Sequence, residues 1–222
     1  MKKLAFLASA IVLAVGANAA TTPVSSFSNA LGPMEISQSG NLALFDSSLG
    51  ILTGATLTVT GGISGDITLT YGAAATGNAN IRGTTTSDIG INSSLGAIDA
   101  LFNGVADISL SYTTGFVDMA PGATFVSATL TDSDSLVLNL GALAALEGVG
   151  TFSLSCDSLS GFGTTGGGGF AGGSQNTFGQ CGASIVYEYT ERTTNVPEPG
   201  SLALVGLALA GLGFSARRRA AK

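Results

Sequence analysis

The chain reads as an all-β protein: an antiparallel, jelly-roll-like β-sandwich between an N-terminal signal peptide and a short C-terminal transmembrane helix. Three observations carry that reading. Seven short runs alternate apolar residues with Thr, Ser or Asp, and a period of two puts apolar side chains on one sheet face and hydroxyls on the other. Glycines stand between the runs, where turns need a permissive backbone. Charged residues are only 10% of a chain that is 45% hydrophobic, so Thr and Ser supply the solvent-facing surface.

The elements follow in order. Residues 1–19 form a signal peptide: Lys2 and Lys3 are its basic start, residues 4–15 its apolar stretch, and Ala17-Asn18-Ala19 its A-x-A cleavage site. A first membrane span is excluded, because about twelve apolar residues are too few. Cleavage is expected after Ala19, with Ala20 the alternative. The body, residues 20–195, is long enough for one domain with a real core. Its alternating runs are residues 55–60, 66–71, 107–112, 124–131, 135–140, 151–156 and 183–189. Turns are expected at Gly61-Gly62, Gly65, Gly72, Gly104, Gly115, Pro121-Gly122 and Gly148. Residues 94–102 and 141–147 suit a helical turn or two.

Two cysteines remain in the exported part, Cys156 and Cys181. An even pair outside the cytoplasm points to a disulfide. The alternatives are a metal pair, which two thiolates without His serve poorly, or free thiols. Between the two lie Gly161-Phe162-Gly163 and the glycine-rich residues 166–173, which read as a loop whose neck the bridge would clip. The run of four glycines is no phosphate cradle, since no GK[ST] follows and no basic residue is near.

Charge and composition exclude several functions. Six of the eight basic residues lie in the two terminal segments, so residues 20–198 keep Arg82 and Arg192 against fourteen acids, a net charge of −12. Nucleic acid is excluded, because such binding rests on Lys and Arg neutralising phosphates. There is no His, hence no Ser–His–Asp triad and no imidazole acid–base group. A carboxylate pair remains chemically open, since glycoside hydrolysis needs two Asp or Glu roughly 5–10 Å apart. Trp is absent too, which leaves Tyr112, Tyr187 and Tyr189 as candidates to line a sugar-binding groove. Asp132-Ser133-Asp134 offers two oxygen ligands to Ca²⁺, fewer than a proper loop supplies, and reads first as a polar turn. No cofactor, no metal ligand set and no catalytic residue is expected.

The C-terminal segment, residues 196–222, carries the most specific signal. Val196-Pro197-Glu198-Pro199 cannot join a helix or pair in a sheet, so that backbone stays extended. Residues 201–216 are uncharged and, as a helix, span about 24 Å, a little short of a ~30 Å hydrocarbon core. Arg217, Arg218 and Arg219 then hold that end on the cytoplasmic side. This order resembles a PEP-CTERM sorting signal, with Pro197, Glu198 and Pro199 matching residue for residue. The resemblance implies transient insertion in the inner membrane of a Gram-negative bacterium and processing near the motif by an exosortase, an integral-membrane enzyme. Release to the cell surface or the extracellular matrix would follow.

A second resemblance covers about thirty residues from 41 to 70. Phe45, Asp46, Leu49, Gly50 and Leu52 make it similar to the opening of the choice-of-anchor domains, type E in particular. These are bacterial surface domains, and the resemblance implies no catalytic residue. Together the readings predict an exported protein, not an enzyme, with a structural or adhesive role linked to extracellular polysaccharide or biofilm. Its expected partners are the secretion machinery, the exosortase and extracellular polysaccharide. The alternatives are a glycan- or calcium-binding surface module, or a His-free polysaccharide hydrolase.

Overall fold

Alternation of apolar and hydroxyl side chains resolves into two facing antiparallel sheets. The computed structural model describes residues 19–102 and 104–192, together with Gly206 and Leu209. The strands are β1 (Ala19–Thr21), β2 (Ser25–Ser28), β3 (Gly32–Pro33), β4 (Ser37–Ala43), β5 (Gly50–Tyr71) and β6 (Ala79–Ser93). After α1 (Gly96–Asp99) come β7 (Ile108–Thr113), β8 (Val117–Met119), β9 (Thr124–Val126), β10 (Leu130–Asn139), β11 (Thr151–Thr165) and β12 (Ala171–Glu191).

Among the described residues one sheet has seven strands, in the order β1-β12-β5-β10 with β2 and β3 beside β12 and β9 beside β5. The other has five, in the order β4-β11-β6-β7 with β8 beside β6. Numbered along the chain, the eight principal strands are divided between the sheets as 1-8-3-6 and 2-7-4-5, with only 4 and 5 consecutive in one sheet. This is the interleaving of a jelly roll, as expected from the sequence.

The two inner faces meet in one core. Leu57, Val59, Ile67 and Leu69 of β5 face Ile81, Ile89 and Ile91 of β6, with Leu154 of β11 and Ile185 of β12 beside them, and all are fully buried. Sheets whose inner side chains interdigitate in this way lie about 10 Å apart, and the apolar area removed from water is the main stabilising term.

Several expectations are corrected here. Gly61-Gly62 and Gly65 make no turn: β5 runs unbroken through them, joining the two runs at 55–60 and 66–71 into a single strand of 22 residues. These glycines mark close approach. A Cβ on Gly65 would lie 2.2 Å from the Asn176 carbonyl oxygen and 2.6 Å from Tyr112 Oη, and one on Gly61 would lie 2.7 Å from Ile89 Cδ1. Asp132-Ser133-Asp134 is likewise no turn, since β10 continues through it opposite Ile63, Gly62 and Gly61. The expected run at 124–131 is instead β9 and the start of β10. The glycine-rich loop shrinks to residues 166–170, because residues 161–165 extend β11 and 171–173 open β12.

The helical expectations hold as single turns, α1 within 94–102 and a 3₁₀ turn at Ala144–Leu146. No run was expected over β4 or β6. Among the described residues no helix is long and apolar enough to cross a membrane. Residues 1–18, the motif at Val196–Pro199 and Arg217–Arg219 lie outside the described residues.

Candidate functional site

Cys156 sits mid-strand on β11, opposite Ile91 of β6 and Gln38 of β4. Cys181 sits mid-strand on β12, in the other sheet. Inward alternation buries both, at 0% and 2% exposure. They are joined in a disulfide with Cα atoms 6.4 Å apart. Beside the bridge, Gln38 Oε1 accepts from the Cys181 backbone N–H at 2.9 Å while its Nε2 donates to the Ala30 carbonyl. One covalent and one hydrogen-bonded link therefore span the sheets side by side. The expected clip on a loop neck is corrected to a cross-brace through the core. A disulfide lies within the sequence's reach; its place does not, because glycine-rich composition looks the same in a loop and in two closely packed strands.

The outer face of the seven-stranded sheet is lined with hydroxyls. Thr58 and Thr60 of β5 stand opposite Val137 and Ser135 of β10, and Ser26 and Ser28 of β2 stand opposite Ser184 and Gly182 of β12. Thr60 Oγ1 donates to the Gly182 carbonyl at 3.3 Å. Where glycines replace side chains the face hollows out. A cavity of ≈ 370 Å³ is lined by Ser28, Thr60, Gly61, Ser133, Asp134, Ser135, Gln180, Cys181 and Gly182. Two neighbouring hollows share Ser28 and Thr60, or Ser133 and Gln180, with it. The ≈ 370 Å³ cavity offers hydroxyl, amide and carboxylate groups to a polar ligand, with no cation and no aromatic ring in its own lining, while Phe27 lines one of its neighbours.

Several aspartates are held by hydrogen bonds. Asp107 Oδ2 accepts from the backbone N–H groups of Ile91 and Gly104 at 2.8 and 3.2 Å. Asp99 Oδ1 accepts from Ser93 N, and Asp88 Oδ1 accepts from the Ser109 hydroxyl at 2.6 Å. Asp132 Oδ2 accepts from Ser111 N of β7 at 2.8 Å, tying the edge strands of the two sheets together. Asp134 Oδ1 accepts from Ser135 N. Among the described residues no group of three or more His, Cys, Asp or Glu is arranged to hold a metal ion.

Tyr112 and Tyr187 are too buried to line a groove, and Tyr189 lines none of the hollows described above. Tyr112 and Tyr187 are core residues at 5% and 2% exposure; Tyr112 Oη lies 2.6 Å from Thr177 Oγ1, and Tyr187 Oη donates to the Ala43 carbonyl at 2.7 Å. Burial pushes the Tyr187 phenol up to about 12. Tyr189, half-buried, packs against Phe45 in a tilted contact with ring centroids 5.5 Å apart.

The residues behind the second resemblance serve the β4–β5 connection. Phe45 is buried at 1% and packs on Tyr187 and Tyr189. Asp46 caps the turn, and the Ser48 backbone N–H at 2.8 Å holds its carboxyl below the ordinary range. Leu49 is exposed and Leu52 buried. A Cβ on Gly50 would collide with the Thr190 carbonyl oxygen at 2.3 Å. Ala19, at the expected cleavage site, opens β1 opposite Thr190.

Fold and bridge together define an all-β, disulfide-braced sandwich. Its tail is more specific: residues 195–219 match the model of the PEP-CTERM protein-sorting motif, a stretch that includes Pro197, Glu198, Pro199 and the three arginines. The chain therefore carries the signal for export and exosortase-dependent sorting to the cell surface, with the exosortase as processing partner. No curated protein matches the chain.

Among solved structures, it is similar to a chain of the infectious bursal disease virus Gt strain at 14% identity, covering 95% of this chain and 54% of that one with a TM-score of 0.17. A chain of the T13 particle of the same virus gives 13% identity, 91% and 50% coverage and a TM-score of 0.17. The parasporin-2 toxin of Bacillus thuringiensis gives 13% identity, 78% and 70% coverage and a TM-score of 0.13. The chain spans about half the length of the viral chains. At these TM-scores the likeness carries no argument about fold or role.

Proposed function

We propose that this chain is a structural or adhesive protein of the cell surface or extracellular matrix of a Gram-negative bacterium, acting with extracellular polysaccharide in biofilm or cell aggregation, and that it is not an enzyme. The observation that carries the reading is the sorting motif at residues 195–219. In this reading residues 1–19 are removed on export by the secretion machinery. Residues 201–216 hold the chain transiently in the inner membrane, and the exosortase then cuts near Pro197-Glu198-Pro199. The body is a choice-of-anchor-like domain of type E, to which the motif is the interchangeable attachment.

The hydroxyl-covered outer sheet supports the adhesive part, because Thr and Ser ladders exchange hydrogen bonds with polyols without needing charge. The same hollowed face favours a glycan-binding module as the second reading. The calcium variant has less support, since Asp132-Ser133-Asp134 lies within strand β10 and not in a loop, and Asp132 Oδ2 already accepts from Ser111 N.

Deleting the gene and scoring polysaccharide retention and cell aggregation tests the proposal. Loss of either supports it. Unchanged retention and aggregation, with the protein confirmed at the surface of the parent strain, contradicts it.

A further inference from the structure

One level of the sandwich interior is polar. On β6 the inward positions carry Thr85 and Ser87 in line with Ile81, Ile89 and Ile91, and both are fully buried at 0% exposure. Their hydroxyl oxygens have no hydrogen-bond partner in the protein, and neither has the buried Gln175 Oε1.

Register gathers these groups. Ser160 of β11 lies opposite Ser87, and Tyr112 of β7 lies opposite Thr85. Gln175 Nε2 donates to Ser160 Oγ at 3.2 Å, and Tyr112 Oη meets Thr177 Oγ1, two residues along β12 from Gln175. Polar side chains from both sheets thus converge at one level. Gly65 is what admits the Tyr112–Thr177 contact: a Cβ there would come within 2.6 Å of Tyr112 Oη and 2.9 Å of Thr177 Cα.

A buried polar atom without a partner is costly, and native interiors pair nearly all of them with protein or ordered water. Ordered interior water typically makes about three hydrogen bonds to groups that would otherwise go unpaired. Three unpaired neutral oxygens suit that ligand. They do not suit a cation, because they bring no negative charge to offset its desolvation.

We propose that this level is a buried water-binding site, in which Thr85 and Ser87 donate their hydroxyl protons to an ordered water and the water donates to Gln175 Oε1. The water then links β6 of the five-stranded sheet to β12 of the seven-stranded sheet, alongside the Tyr112–Thr177 contact.

A high-resolution crystal structure of the protein, with thermal midpoints for Ser87→Ala and Thr85→Val, tests this. The expected result is solvent density within hydrogen-bond distance of all three oxygens, absent or displaced in Ser87→Ala, with that variant's midpoint lower by about 2–4 °C. Density decides the question whether or not Thr85→Val folds. No bound water at the three oxygens overturns the proposal, and so does a Ser87→Ala variant that keeps its water unmoved or melts higher than the parent.

Discussion

Cys156 of the five-stranded sheet is bonded to Cys181 of the seven-stranded sheet, with Gln38 hydrogen-bonded to the Cys181 backbone beside it. A bridge placed there constrains the whole sandwich, because separating the sheets requires breaking it.

The chain-entropy estimate for a sequence separation of 25 is about 3.5 kcal/mol. Replacing both cysteines, Cys156→Ala with Cys181→Ala, should lower the thermal midpoint by roughly 7–14 °C for a domain of this size. The loss should be global, without selective proteolysis at residues 166–170, since β11 and β12 keep their ladders on either side. Differential scanning calorimetry with limited proteolysis checks this. Cleavage confined to residues 161–173 at an unchanged midpoint would restore the loop-clip reading.

Tyr187 sets an alkaline limit on stability. Its phenol is buried, donates to Ala43 and titrates near 12 in the folded state against an ordinary value near 10. The raised value means that the unfolded chain loses its proton first. The contribution is therefore fully present below pH 10 and declines as pH rises towards 12, by roughly 2–3 kcal/mol. Urea unfolding of the parent and of Tyr187→Phe between pH 9 and pH 12 should show the steeper decline in the parent. Parallel curves would show that the phenol's burial does not govern the pH dependence.

The strands that alternate apolar with hydroxyl residues, such as 55–60 and 151–156, were legible because one face needs Leu, Val or Phe and the other does not. β6 was not legible, since Thr85 and Ser87 occupy inward positions and erase the alternation across residues 84–88. β4 fails for a related reason: its inward positions carry Gln38 and Gly40 before Leu42, and the Phe27 ring occupies the space a side chain on Gly40 would need. Glycine misled most. Gly61, Gly62 and Gly65 carry the residue type of a turn, but their role is to let Ile89, Gln180, Asn176 and Tyr112 approach, which depends on neighbours distant in sequence. The hydroxyl-lined hollow was hidden likewise, because it joins Ser28, Thr60, Asp134 and Gln180 from four separate strands. The sorting motif needed no such neighbours: Pro197-Glu198-Pro199, the apolar run and the arginines are contiguous.

The central claim is that the tail is an address and not a permanent anchor. Peptide mass spectrometry of protein extracted from the cell surface tests it most directly, with a Pro197→Ala, Glu198→Ala variant alongside. A mature C-terminus before Ser201 is predicted for the parent, with no peptide from residues 217–222, while the variant stays uncleaved in the inner membrane. Intact residues 217–222 in mature, surface-located parent protein would contradict the claim.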